Sequence, residues 1–125
     1  MAKRILIVDD STSMRGMIRS ALRAGSFEVI EAANGPDALT ILDRQEIDRQ
    51  VVDLIITDMN MPVMDGISLL KAIRKRPATK LTPVLVLTTE SGAELKQAGR
   101  AAGATGWLVK PFNPQQLVQV VDKVL

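Results

Sequence analysis

The 125-residue sequence is long enough for one domain with its own core, and its 46 % hydrophobic and 24 % charged residues are typical of a globular chain. A net charge of +2 with one Trp, two Phe and no Tyr argues against nucleic-acid binding. No apolar run approaches the roughly 18–20 residues that span a bilayer, so we expect no membrane partner. The absence of Cys fits a cytoplasmic location, and the absence of His leaves oxygen atoms as the ligands for any metal.

The first half of the chain predicts two strands and two helices. Residues 5–8 are a continuous apolar run, and residues 27–31 partly alternate in the manner of an edge strand. Ser11, Thr12 or Ser13 could cap the first helix, which Gly25 would end, and Asn34-Gly35-Pro36 would begin the second. The spacing of an amphipathic first helix is carried by Met14, Met17, Ile18, Ala21 and Leu22.

The second half predicts three more strands and three more helices. Apolar runs cover residues 54–56, 84–87 and 107–109, and a third helix ends near Pro77. The fourth helix, residues 92–103, is weak because its inward face is mostly alanine and glycine interrupts it. The last helix begins with Asn113 as N-cap, Pro114 at its first position and Gln116 at its third.

Five alternations of strand and helix predict an α/β fold. We expect one doubly wound, flavodoxin-like (βα)5 domain over residues 1–125, with a five-stranded parallel sheet and helices on both faces. The second strand has the pattern of an edge strand, and the first and third are apolar enough to be central neighbours. The predicted strand order is therefore 2-1-3-4-5, with the functional site beyond the carboxyl ends of strands 1 and 3.

Polar residues stand where the apolar runs end. Asp9 and Asp10 follow the first strand, Asp58 the third, Thr88 the fourth and Lys110 the fifth. Parallel strands bring all of them to one edge of the sheet. Three close carboxylates repel one another unless a hard divalent cation is bound, and Mg²⁺ is the leading candidate. A hydroxyl and an ammonium beside them suit a phosphoryl group.

Four segments, each at a predicted strand end and together spanning the whole chain, resemble the receiver domain of response regulators. They are ILIVDDS (residues 5–11), LIITDMNMPVMDG (54–66), TTE (88–90) and GATGWLVKPF (103–112). The last segment is especially similar to single-domain chemotaxis regulators. We therefore expect a stand-alone receiver domain of a two-component system with no output domain.

The resemblance assigns roles to the residues at the sheet edge. Asp58 would accept a phosphoryl group from a histidine kinase, a histidine phosphotransfer domain or a small phosphodonor. Asp10 and Asp58 would ligate Mg²⁺ directly, together with the backbone carbonyl of Asn60, and Asp9 would act partly through water. Thr88 and Lys110 would each contact a phosphoryl oxygen. The Lys110-Pro111 bond resembles the cis peptide of the family.

The resemblance also implies a switch. Trp107 would swing inward as Thr88 moves toward the phosphoryl group; the alternative is a partly buried edge-strand Trp that never moves. Asn60 and Glu90 would tune hydrolysis of the acyl phosphate, unless they are merely two exposed polar side chains. Three arginines at helical spacing could attract an acidic partner, but a solvated face is the favoured interpretation: Arg15, Arg19 and Arg23.

The leading functional hypothesis is a monomer whose phosphorylation changes a protein-binding face made by the fourth helix, fifth strand and fifth helix. Its partner would be a flagellar motor switch protein, and its only catalysis would be its own phosphorylation and dephosphorylation. A phosphate sink or phosphorelay intermediate is the first alternative. A phosphatase working through an aspartyl phosphate is less favoured, because Asn60 stands where those enzymes need a second acid.

Overall fold

The structure, a computed structural model, describes residues 2–89 and 92–125. Five strands alternate with five helices in the described residues. The strands are β1 (Lys3–Val8), β2 (Phe27–Ala32), β3 (Leu54–Asp58), β4 (Val84–Thr88) and β5 (Gly106–Val109). The helices are α1 (Thr12–Ala21), α2 (Gly35–Ile47), α3 (Gly66–Lys75), α4 (Ala93–Ala102) and α5 (Pro114–Val124).

The strands form one parallel sheet in the order β2-β1-β3-β4-β5, which confirms the predicted topology. The central strands β3 and β4 are buried along their whole length, as their uninterrupted apolar runs predict. The edge strand β2 is only partly buried, and its alternating sequence reflects one exposed face. The strand order therefore reverses between β1 and β3, and the crevice at this switch point lies beyond the carboxyl ends of the two strands.

Helices cover both faces of the sheet. One core lies beneath α1 and α5, where Ile18 and Leu117 pack on Ile7 and Ile56. The opposite core lies beneath α2, α3 and α4 and includes Leu42, Leu70 and Ile55. Alternate residues of β1 and β3 face opposite cores, so each central strand is held from both sides.

The predicted helix starts are confirmed by their capping bonds. The side chains of Ser11 and Asn34 accept hydrogen bonds from the backbone amides of the third helical residues, Met14 in α1 and Asp37 in α2. Asn113 and Gln116 form a reciprocal capping box at α5. The end of α1 differs from the prediction, because the helix stops at Ala21 and a short 3₁₀ turn, Leu22–Ala24, carries the chain to Gly25.

The fourth helix has few buried anchors, as its sequence predicts. Within α4 only Gly99 is buried, and no side chain in the described residues caps the helix at Gly92. Its other end is held firmly: Arg74 donates two hydrogen bonds to the Gly103 carbonyl, at 2.8 and 3.1 Å, and others to the carbonyls of Thr79 and Thr82. Burial lowers the pKa of the Arg74 guanidinium from its usual value.

No helix in the described part of the chain is long and apolar enough to cross a membrane.

Candidate functional site

The strand register brings the predicted site residues to one edge of the sheet. Val8 pairs with Thr57, Asp58 with Leu87, and Thr88 with Val109, so the residues that follow these positions emerge side by side. Oxygen atoms of Asp9, Asp10 and Asp58 lie within 4.8 Å of one another. The predicted meeting of three carboxylates is therefore present in the fold.

The three carboxylates differ in burial. Asp9 is only 1 % exposed and Asp58 6 %, whereas Asp10 is exposed at the mouth of the site. The Oδ1 atom of Asp9 accepts a hydrogen bond from the Ser11 amide at 2.8 Å. Burial is the main cause that raises the pKa of Asp9. The neighbouring charges of Asp58 and Asp10 also raise this pKa, whereas the hydrogen bond from the Ser11 amide and the charge of Lys110 lower it without offsetting the effect of burial.

Lys110 supplies the positive charge of the site. Its Nζ atom donates a hydrogen bond to Asp58 Oδ1 at 2.9 Å and lies 3.6 Å from Asp9 Oδ2. The Lys110-Pro111 peptide is cis, as predicted. One ammonium thus contacts two carboxylates, so this part of the cluster still has an excess of negative charge.

The residues present fit a divalent cation. Asp9 Oδ2 is buried and has no hydrogen-bond partner in the described residues; its nearest positive charge is Lys110 Nζ, at 3.6 Å. Three carboxylates provide hard oxygen ligands of the kind that Mg²⁺ prefers. Asp9, Asp10 and Asp58 are therefore the residues that could hold the cation.

Thr88 ends β4 with its side chain fully buried, one strand away from Asp58. Its carbonyl accepts a hydrogen bond from the Lys110 amide at 2.6 Å, which joins the two neighbouring strand ends. Asn60 is exposed two residues after Asp58, and its role as a carbonyl ligand remains a prediction. Glu90 lies outside the described residues.

A tight loop after β3 fixes the backbone of Asp58. The Met59 amide donates to the Leu87 carbonyl, and the Gly66 amide donates back to Met59, both at 2.8 Å. A Cβ atom on Gly66 would lie 2.5 Å from the Asp58 carbonyl oxygen, so only glycine permits this approach. Within the same loop Val63 adopts a φ of 73° and is 88 % exposed, a strained conformation for a β-branched residue.

Trp107 lies half-buried on β5 with its ring against α4. A Cβ atom on Gly99 would approach its Cζ3 atom to 2.3 Å, so the missing side chain at Gly99 makes room for the indole. The indole Nε1 is buried without a hydrogen-bond partner in the described residues. Its part in a switch remains a prediction.

Arg15 is a site neighbour that the sequence analysis missed. Instead of lying on a solvated face, its guanidinium donates to the Asp9 carbonyl at 2.6 Å and to Glu31 Oε1 at 3.1 Å. Arg19 also pairs with Glu31. The signal that could have identified Arg15 is its position four residues after Ser11, the N-cap, which places it over the first turn of α1.

Comparison with known proteins agrees with the fold. Residues 5–122 match the family model described as the response regulator receiver domain, and the chain belongs to that family. It is 39 % identical to chemotaxis protein CheY1 of Helicobacter pylori, over 98 % of this chain and 96 % of that protein. It is 37 % identical to the CheY homolog of Campylobacter jejuni, over 98 % and 92 % of the two chains.

A solved structure supports the same relationship. The chemotaxis protein CheY4 of Vibrio cholerae superposes with a TM-score of 0.90 and 46 % sequence identity, and the match covers 100 % of both chains. The protein is thus a receiver domain closely related to CheY chemotaxis response regulators.

Proposed function

We propose that this protein is a phosphorylation-switched response regulator in which Asp58 accepts the phosphoryl group. The observation that carries the proposal is the pairing of a nearly buried Asp58 with Lys110 at 2.9 Å, beside two further carboxylates. A buried nucleophile next to one cation and further carboxylate oxygens suits phosphoryl transfer better than a structural ion pair does.

The chemistry requires little acid–base work. A carboxylate oxygen of Asp58 attacks the phosphorus of a phosphohistidine or acyl phosphate, the bond from phosphorus to the donor breaks, and the donor leaves with its electron pair. Lys110 then holds a phosphoryl oxygen, and Thr88 donates its hydroxyl to another. Asp10, Asp58 and the Asn60 carbonyl would hold Mg²⁺, which when bound would neutralise negative charge of the phosphoryl group. Water later hydrolyses the acyl phosphate, at a rate that Asn60 and Glu90 tune.

The output is a protein contact at the face formed by α4, β5 and α5. In this proposal, Thr88 and Trp107 change position together after phosphorylation, and the small number of buried anchors in α4 makes its shift inexpensive. A histidine kinase or phosphotransfer domain donates the phosphoryl group. Since its relatives are named chemotaxis proteins, the flagellar motor switch is the proposed target, in the cytoplasm. The protein turns over no other substrate.

The test is the intact mass of the protein after incubation with Mg²⁺ and acetyl phosphate. We expect one phosphoryl adduct on the wild type, none on Asp58→Asn, and none on the wild type in excess chelator. Asp122→Asn is the matched control, because Asp122 is an exposed carboxylate on α5, and this variant should keep the adduct. An adduct that persists in Asp58→Asn would contradict the proposal. Repeated release of phosphate from a phosphomonoester would instead support a phosphatase.

A further inference from the structure

Arg15 connects the acidic site to the edge strand of the sheet. Its guanidinium is largely buried and contacts two groups at once, the main-chain carbonyl of Asp9 and the carboxylate of Glu31 on β2. The contact to the carbonyl, at 2.6 Å, is short for a charge-assisted hydrogen bond. Within the acidic site, Arg15 therefore acts on the backbone that follows β1, through the Asp9 carbonyl.

That carbonyl belongs to the peptide unit that joins Asp9 to Asp10. The preceding peptide unit is also fixed, because the Asp9 amide donates to the Ala32 carbonyl at 3.1 Å. Both peptides around Asp9 are thus held by hydrogen bonds to β2. The first bonds to β2 directly, and the second does so through Arg15, which contacts Glu31. The orientation of the second peptide sets where the Cα atom of Asp10 lies, and Asp10 is exposed.

We propose that Arg15 is a positioning residue that holds the Asp9-Asp10 peptide so that the Asp10 carboxylate is placed for the divalent cation, with Glu31 as its anchor. The inference rests on the proposed function only in requiring that the acidic cluster binds Mg²⁺. Groups that orient metal ligands through one intervening contact change metal affinity by about 10–100-fold when they are removed.

Charge and positioning make opposite predictions for Arg15. As a cation near an acidic site, Arg15 repels Mg²⁺, so removing its charge should tighten Mg²⁺ binding if charge alone matters. As a positioning group, it organises a ligand, so its removal should weaken binding. The sign of the change in affinity therefore separates the two roles.

The experiment is a calorimetric titration of the full chain with Mg²⁺, without any phosphodonor. We expect Arg15→Gln to raise the dissociation constant about tenfold. Arg15→Lys should restore part of the affinity, because an ammonium can reach one of the two acceptors. Glu31→Gln should weaken binding although Arg15 keeps its charge. Arg23→Gln is the matched control, since Arg23 is an exposed arginine just beyond α1, and its affinity should equal that of the wild type.

An affinity of Arg15→Gln equal to or tighter than that of the wild type would overturn the inference, while the wild-type titration would still support the metal site. A wild type that binds no Mg²⁺, with the same result for Asp10→Asn, would overturn the metal site and the inference together. Thermal melting without metal checks that each variant folds. If Arg15→Gln does not fold, Arg15→Lys and Glu31→Gln decide: unchanged affinity in both would refute positioning.

Discussion

The two sides of the sheet edge are built differently. The metal side is formed by the ends of β1 and β3, and hydrogen bonds hold its backbone. The backbone of Asp9 bonds to Ala32 and Arg15, and that of Met59 bonds to Leu87 and Gly66. On the helix-4 side, formed by β4, α4 and β5, Thr88 is buried, but the next elements are not. All four residues of β5 are only partly buried, and α4 buries only Gly99.

In the proposed function, this difference would let one small domain combine a fixed site with a surface that can change its arrangement. Ligands for a cation must keep their geometry, and hydrogen bonds to backbone groups provide it. A surface that changes with phosphorylation needs two arrangements of similar free energy, and few buried apolar contacts allow that. We expect amide hydrogen exchange to be slower at the metal side than in α4.

The largest effect should come from breaking the metal side at Gly66. In Gly66→Ala the new Cβ atom would lie 2.5 Å from the Asp58 carbonyl oxygen and 2.9 Å from the Met59 Cα atom. Both are backbone atoms of a segment that hydrogen bonds hold in place, so neither can move aside easily. We expect the free energy of unfolding to fall by about 3 kcal/mol, the upper part of the usual range for overpacking. Urea unfolding measures it, and Gly16→Ala, where nothing lies within 4 Å, is the control. A loss of stability no larger than in the control would show that the loop after β3 is not rigid.

A glycine-to-alanine substitution on the helix-4 side should lower the free energy of unfolding by a smaller amount. In Gly99→Ala the Cβ atom would meet the far edge of the Trp107 ring at 2.3 Å, and a half-buried side chain can move. We expect a loss of about 1 kcal/mol in the free energy of unfolding, because alanine also favours the helix. Fluorescence of the single Trp should shift to longer wavelength as the indole becomes more exposed. An unchanged spectrum with a loss as large as that of Gly66→Ala would mean that α4 is held as rigidly as the metal side.

Charge on the metal side should make stability depend on pH. Burial raises the folded-state pKa of Asp9 above its usual value of 3.8, so the folded protein binds this proton more tightly than the unfolded chain does. The stability that this group contributes is full below pH 3.8 and is lost as pH rises through the folded-state pKa. At neutral pH without divalent cation, Asp9→Asn should therefore be more stable than the wild type, by about 1 kcal/mol.

Thermal melting at several pH values checks this prediction, with Asp122→Asn as the control for an exposed carboxylate. Added Mg²⁺ should stabilise the wild type more than Asp9→Asn, which reduces or reverses the difference. A wild type that remains as stable as Asp9→Asn at neutral pH would show that Lys110 compensates the buried charge fully.

The smallest effect should come from Val63, the strained residue on the rim of the metal side. Asn tolerates a φ of 73° better than Val, so Val63→Asn should raise the free energy of unfolding by about 0.5–1 kcal/mol. Val63→Ala is the control, because alanine retains the unfavourable Cβ at positive φ and should change stability little. Equal stability of all three proteins would place the strain elsewhere in the loop.

The sheet and the gathering of the acidic residues could be predicted because each depends on local signals. Apolar runs define β1, β3 and β4, capping residues define the helix starts, and strand ends of a parallel sheet must meet at one edge. The small number of buried anchors in α4 could also be predicted, because its sequence is rich in alanine and contains a glycine. These features follow from residue type and spacing within short windows.

The contacts that complete the site could not be predicted, because each depends on distance in space. Arg15 meets Glu31 across sixteen residues of sequence, and the pattern of α1 alone favours a solvated face. Gly99 and Trp107 lie on separate elements, so the gap that receives the indole has no sequence signature. The positive φ of Val63 is imposed by the loop that returns Gly66 to Met59, and valine gives no hint of it.

The contacts of Arg74 determine how the junction between α3 and α4 responds to ionic strength. Its guanidinium is held by the main-chain carbonyls of Gly103, Thr79 and Thr82, and it forms no ion pair in the described residues. Dissolved ions compete with a carboxylate for an arginine, as they should at the partly exposed pair of Arg19 and Glu31, but they compete poorly with shielded carbonyl dipoles. The junction between α3 and the end of α4 should thus stay intact at ionic strengths that loosen the surface pairs, and it should keep this end of α4 in place whatever the surrounding electrolyte.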